Sequence, residues 1–113
     1  MNRHPDSFFV ESAQRTISLE NNAVEQLGKQ LDSAFSAACR QILDTRGRVV
    51  VTGMGKSGHI AGKIAATFAS TGTPAFFVHP AEASHGDMGM ITSDDCVIAL
   101  SNSGATNEIL TLL

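Results

Sequence analysis

Twice along this chain a short apolar run breaks into a turn rich in glycine and hydroxyl residues, after which a helical pattern resumes. The first run is Val49-Val50-Val51, followed by Thr52-Gly53-Met54-Gly55-Lys56-Ser57-Gly58. The second is Cys96–Leu100, followed by Ser101-Asn102-Ser103-Gly104 and a helix predicted from Thr106 onward. β-Branched runs of this length suit buried strands. Between them, a helix is predicted from about Ser57 to Thr71, with Ile60, Ile64, Ala65 and Phe68 on its inner face. Gly72 and Pro74 end it, and Ala75–Val78 forms another strand. Pro80–Ile91 is predicted as a long loop. Alternation of strand, helix and strand requires parallel strands joined by crossovers. The predicted class is therefore α/β, a three-layer αβα arrangement on a parallel sheet.

Upstream, the pattern is helical from about Phe8 to Leu43, and Met1–Ser7 is predicted as a loose tail. Val24, Leu27, Leu31, Phe35, Ala38 and Ile42 recur at spacings of three or four and fall on one stripe. Asn21-Asn22 is the predicted bend or break, and Gly47 the predicted left-handed cap. The expected division is 1–12 as tail and helix start, and 13–113 as an α/β domain cut short after its third strand. An open sheet edge and an aborted last helix carry that expectation.

At 113 residues the chain fits one domain, and 42% hydrophobic with 17% charged residues suits a globular protein. A net charge of −3 argues against a nucleic-acid binder, which would show a basic face. No run has the length of a membrane span, and the opening residues lack a signal-peptide core. Cys39 and Cys96 belong to no metal or redox spacing and read as buried, reduced thiols, in keeping with the cytoplasm.

Both turns stand at the carboxyl end of a strand, where open parallel sheets bind ligands. A helix start offers unpaired N–H groups and a positive dipole end, which suits phosphate. Gly53–Gly58 has the spacing G-x-G-x-x-G, which alone indicates a dinucleotide site. Against that, the next strand ends Phe77-Val78-His79-Pro80 without an acidic residue for a ribose, and Lys56 puts a charge in mid-loop. A Walker loop is excluded, because the glycine it requires would fall on Val50. The competing reading is a tight turn whose glycines only permit close packing. In the second turn Ser101, Asn102, Ser103 and Thr106 are dense in phosphate donors. Helix capping by Ser103 or Thr106 competes, although one hydroxyl would suffice for it. His79, Glu82, His85 and Asp87 match no compact zinc spacing, and no metal is assigned.

The stretch from Val49 to His59 resembles the first motif of sugar isomerase (SIS) domains. Thr67–Pro74, Phe77–Pro80 and His85-Gly86-Asp87 are similar to the arabinose 5-phosphate isomerase branch, and Ser101–Gly104 resembles the family's phosphate loop. The resemblance implies a SIS-type fold, D-arabinose 5-phosphate interconverted with D-ribulose 5-phosphate, and a place in the synthesis of Kdo, a lipopolysaccharide sugar. It also implies a homo-oligomer, a tetramer in the family, with no nucleic-acid or membrane partner. By position, Lys56, Glu108 and His85 match its catalytic residues, and Gly55, Ser57, Ser101, Asn102, Ser103 and Thr106 its substrate and phosphate ligands. Where members often carry an acidic residue after the phosphate-loop glycine, this chain has Ala105. A further glutamate and histidine of the family would lie beyond Leu113, so the chain alone is expected to be nearly inactive.

Aldose–ketose isomerisation proceeds through an enediol and needs a base, an acid and oxyanion stabilisation. It requires no redox cofactor, and none is expected. Lys56 suits the stabilising role. The main alternative is a non-catalytic SIS module that senses sugar phosphates; a nucleotide-binding domain is a third reading.

Overall fold

The computed structural model of the chain describes residues 3–84 and 86–105. The chain divides into two compact units, Met1–Ala38 and Cys39–Leu113.

In the first unit, helix α1 spans Asp6–Gln30, beginning inside the predicted tail. Pro5 is extended and its carbonyl accepts the N–H of Phe8 at 2.9 Å. The helix runs straight through Asn21-Asn22. Two asparagines cost only about 1 kcal/mol in helix propensity, too little to stop a helix of 25 residues. The break falls instead after Leu31, which is extended. There Asp32 starts α2 (Ser33–Leu43) by accepting the N–H of Ala34 on its carboxylate at 2.9 Å. Val24, Leu27, Leu31 and Phe35 of the predicted stripe are each more than half exposed.

The second unit holds a three-stranded parallel sheet in the order β2-β1-β3. Strand β1 (Val49–Gly53) is central and buried throughout. Strands β2 (Ala75–Val78) and β3 (Cys96–Leu100) have their predicted bounds. Helix α3 (Gly55–Ser70) crosses from β1 to β2. Val49 and Val51 pack on one face with Ala61 and Ala65 of α3, joined by Ile42, Ile64 and Phe68. Val50 and Val78 pack on the other with Phe76 and Ile91. Each fully buried valine contributes about 1.5–2 kcal/mol by leaving water.

Helix α3 begins two residues earlier than predicted, so Lys56 and Ser57 lie in its first turn. Its inner stripe is Gly58, Ala61 and Ala65, small residues that bring the helix close to the sheet. Ile60, predicted inside, is 56% exposed because that close approach turns it outward. Two parts of the predicted Pro80–Ile91 loop are helical. Helix α4 (Pro80–Ser84) starts on a proline whose missing N–H costs nothing there, and Asp87–Met90 forms a 3-10 helix.

Gly47 does not adopt a left-handed cap. It is glycine for space: a side chain there would meet the Asp95 carboxylate and the Asp94 carbonyl. Cys39 and Cys96 are free thiols but half-buried, not buried as expected. Among the described residues, no helix is long and apolar enough to cross a membrane. The helix predicted from Thr106 lies outside the described residues.

Candidate functional site

Strand register brings three loop entrances together. Gly53, the last residue of β1, pairs with Leu100, the last residue of β3. Thr52 pairs with Val78, the last residue of β2. Met54, His79 and Ser101 therefore leave the sheet side by side, at the carboxyl edge where parallel sheets hold ligands. The buried Thr52 hydroxyl donates to the Val78 carbonyl at 2.5 Å, locking the ends of β1 and β2 together.

The first turn is built by backbone contact. A Cβ on Gly53 would lie 2.8 Å from the Ser57 carbonyl oxygen, and one on Gly58 would lie 2.7 Å from the Gly53 oxygen. Neither position admits a side chain unless the backbone moves. Gly55 has φ +57°, a left-handed value, and opens α3. This turn projects Lys56 into solvent in the first turn of α3, with Ser57 half-buried beside it. A lysine at a helix start, next to N–H groups without partners inside the helix, is an arrangement that suits an anion.

The second turn is held by its own hydroxyls. The Ser101 Oγ accepts the N–H of Gly104 at 2.8 Å, and the Ser103 Oγ accepts the N–H of Ala105 at 3.1 Å. Gly104 sits at φ +71°, a left-handed value that favours glycine. The Ser103 hydroxyl has its oxygen engaged as acceptor, and its proton is the group it can offer to a phosphate. Asn102 and Ser103 are exposed and Ser101 is half-buried. Gly55, Lys56, Ser57, Ser101, Asn102 and Ser103 thus share one edge of the sheet. His85, Thr106 and Glu108 lie outside the described residues.

A cleft of about 240 Å³ lies between the start of α3 and the end of β2, lined by Gly55, Gly58, His59, Phe77 and His79. Its volume falls below the usual range for drug-sized ligands, about 300–1,000 Å³, and suits a small metabolite. His79 Nδ1 accepts the N–H of Ala81 at 3.2 Å, which leaves Nε2 as the protonated nitrogen of the neutral ring. From the sequence His79 belongs only to a set without zinc spacing and is given no place in the site. Its position immediately after a strand's carboxyl end was the signal that placed it in the wall of this cleft. Among the described residues no group of histidine, cysteine and acidic side chains is arranged to hold a metal.

A larger hollow, about 400 Å³, lies at the opposite edge of the sheet, with Asp44, Asp94, Asp95 and Arg46 in its wall. Three carboxylates against one guanidinium repel a phosphate, so volume is a poor guide here. Asp95 is already committed: its carboxylate accepts the N–H groups of Arg48 and Thr92, which hold its pKa below the usual value.

The family pattern described as SIS domain matches residues 41–113. The chain is 65% identical to the arabinose 5-phosphate isomerase KdsD of Pseudomonas aeruginosa, over 100% of this chain and 35% of that protein. It is 58% identical to the KdsD of Yersinia pestis, over 96% of this chain and 33% of that one. The chain therefore spans about a third of the length of the curated relatives it matches. A solved structure of E. coli CFT073 c3406 in complex with A5P superposes with a TM-score of 0.92. It is 46% identical, covering 97% of this chain and 58% of that one. With the family pattern lying over the sheet, α3 and both turns, the chain belongs to the SIS-domain family.

Proposed function

We propose that this chain is the sugar-phosphate-holding part of an arabinose 5-phosphate isomerase, interconverting D-arabinose 5-phosphate and D-ribulose 5-phosphate in the cytoplasm for Kdo synthesis. The observation that carries the reading is the pairing of Gly53 with Leu100, which sets a lysine-bearing helix start beside a hydroxyl-rich turn. That juxtaposition suits one phosphorylated sugar held from two sides. Identity of 65% to a KdsD across the whole chain supports the choice of sugar.

In this reading the phosphate rests on Ser101, Asn102, Ser103 and Thr106, and the N–H groups around Gly55 and Ser57 add to its binding. Lys56 stabilises the oxyanion that develops as the enediol forms. Glu108 and His85 complete the catalytic set, with the individual proton steps left unassigned between them. No cofactor is needed, because the proton moves between adjacent carbons and no net oxidation occurs. The chain alone binds the sugar phosphate but turns it over poorly, and the exposed apolar stripe of Val24, Leu27 and Phe35 supports self-association.

The test is calorimetric titration of the chain with arabinose 5-phosphate, with NAD as control, beside an isomerase assay on the full-length protein and its Lys56→Met variant. Saturable binding of the sugar phosphate alone, with turnover lost by at least about 100-fold in the variant, is expected. Binding in the full-length protein with no turnover to lose would establish the sensor instead. Binding of NAD alone would sink both.

A further inference from the structure

We propose that Arg48 is a positioning residue for the sugar-phosphate site, acting from the opposite end of the strands through Met90, Ile91 and Val78; this rests on the reading just given. Arg48 sits immediately before β1 and joins three other segments of the chain. Its guanidinium lies 4.3 Å from the centroid of the Phe76 ring in β2. Its Nη2 donates to the Met90 carbonyl at 2.9 Å, and its backbone N–H donates to Asp95 at 2.7 Å.

The Met90 carbonyl ends the 3-10 helix, where the last carbonyls lack partners within the helix. A planar, permanently charged fork suits that oxygen while its face stacks on Phe76. The next residue, Ile91, packs on Val50 and Val78. Val78 in turn accepts from Thr52 and is followed by His79 in the cleft wall. A continuous set of contacts thus runs from Arg48 through Met90, Ile91 and Val78 to the cleft. His79 is fixed by its Nδ1–Ala81 bond just after β2, and Met90 is fixed by Arg48 just before Ile91 packs on the sheet. Releasing Met90 loosens the cover over Val78 and lets the entrance shift.

The experiment compares full-length protein with Arg48→Met, which keeps bulk but loses charge and donors, and Arg48→Lys, which keeps charge and a donor group but not the planar fork. KM and kcat for arabinose 5-phosphate, melting temperature and amide exchange at 89–92 are measured on each. The expected result is a KM raised about fivefold in Arg48→Met, a smaller change in kcat, faster exchange at 89–92, and recovery of most of the KM in Arg48→Lys. A folded Arg48→Met with lowered melting temperature and unchanged KM overturns the proposal and leaves Arg48 a structural residue. If Arg48→Met does not fold, Arg48→Lys decides: a KM raised about twofold at unchanged kcat supports positioning, and a KM equal to the parent's with faster exchange at 89–92 overturns it. Absence of turnover in the unsubstituted protein would instead count against the isomerase reading, so the two failures are distinct.

Discussion

The two turns at the carboxyl edge occupy equivalent places on neighbouring strands, yet they are held in opposite ways. The turn after β1 is fixed by main-chain contact between Gly53 and Gly58, and the side chains of Lys56 and His59 remain exposed. The turn after β3 has no such contact at Gly104 among the described residues, and is shaped by Ser101 and Ser103 bonding to its own N–H groups. One is a product of the fold and the other of its own polar chemistry. Substitutions should therefore separate stability from ligand binding, with stability concentrated in the first turn and affinity in the second.

The largest effect is expected at Gly58→Ala. The new methyl group meets the Gly53 carbonyl oxygen at 2.7 Å, a backbone atom rather than the end of a flexible side chain that could yield. Overpacking of this kind costs about 2 kcal/mol or more. Gly62→Ala, on the same helix with nothing within 4 Å of the added carbon, should instead gain about 0.5–1 kcal/mol from propensity. Denaturant melts of the pair provide the check. Equal stabilities would mean that close packing does not hold the first turn.

Next comes Ser103→Ala in the second turn. Ser103 is exposed, so water can satisfy the Ala105 N–H that loses its acceptor, and stability should change by less than about 0.5 kcal/mol. Affinity for arabinose 5-phosphate should fall about tenfold, since a hydroxyl bond to a charged phosphate is worth about 1.5 kcal/mol or more. Titration calorimetry reads the second quantity and thermal melting the first. A large drop in melting temperature with unchanged affinity would reverse the contrast between the turns.

How far these features could be read from residues alone follows the same division. Strands β2 and β3 were legible to the residue, because short apolar runs bounded by glycine, proline and polar residues leave little choice of limits. Both turns were legible as glycine- and hydroxyl-rich turns at strand ends, since that composition is local. Their adjacency was not, because the order β2-β1-β3 and the register Gly53↔Leu100 are long-range facts. The helix break was misplaced at Asn21-Asn22, where propensity is weak but uncapped. It fell where Asp32 could accept an N–H, since capping decides boundaries more firmly than propensity does. Ile60 is expected on the inner face with Ile64, Ala65 and Phe68, yet Gly58, Ala61 and Ala65 are the buried residues because the helix lies so close to the sheet. The two short helices between Val78 and Ile91 carry no periodicity long enough to detect.

The smallest effect concerns the end of β3 remote from the site. β1 is held by neighbours on both sides, whereas β3 pairs only with β1 among the described strands. Asp95 fastens the entry to β3 by accepting from Arg48 and Thr92, and these bonds lower its pKa from 3.8. The sign follows: with the folded value depressed, the staple contributes its full stability above the unfolded value, near pH 4. That contribution is lost as pH falls through the lower folded value. Asp95→Asn should therefore melt below the parent at pH 7, and the gap should close as pH falls below about 3.8. Amide exchange compared between parent and variant at pH 7 should quicken at 97–105 more than at 53–58. The turn after β3 depends on its strand, while the turn after β1 depends on the packed centre of the sheet. Equal quickening in both segments would show that the two turns share one cooperative unit, and would erase the distinction between them.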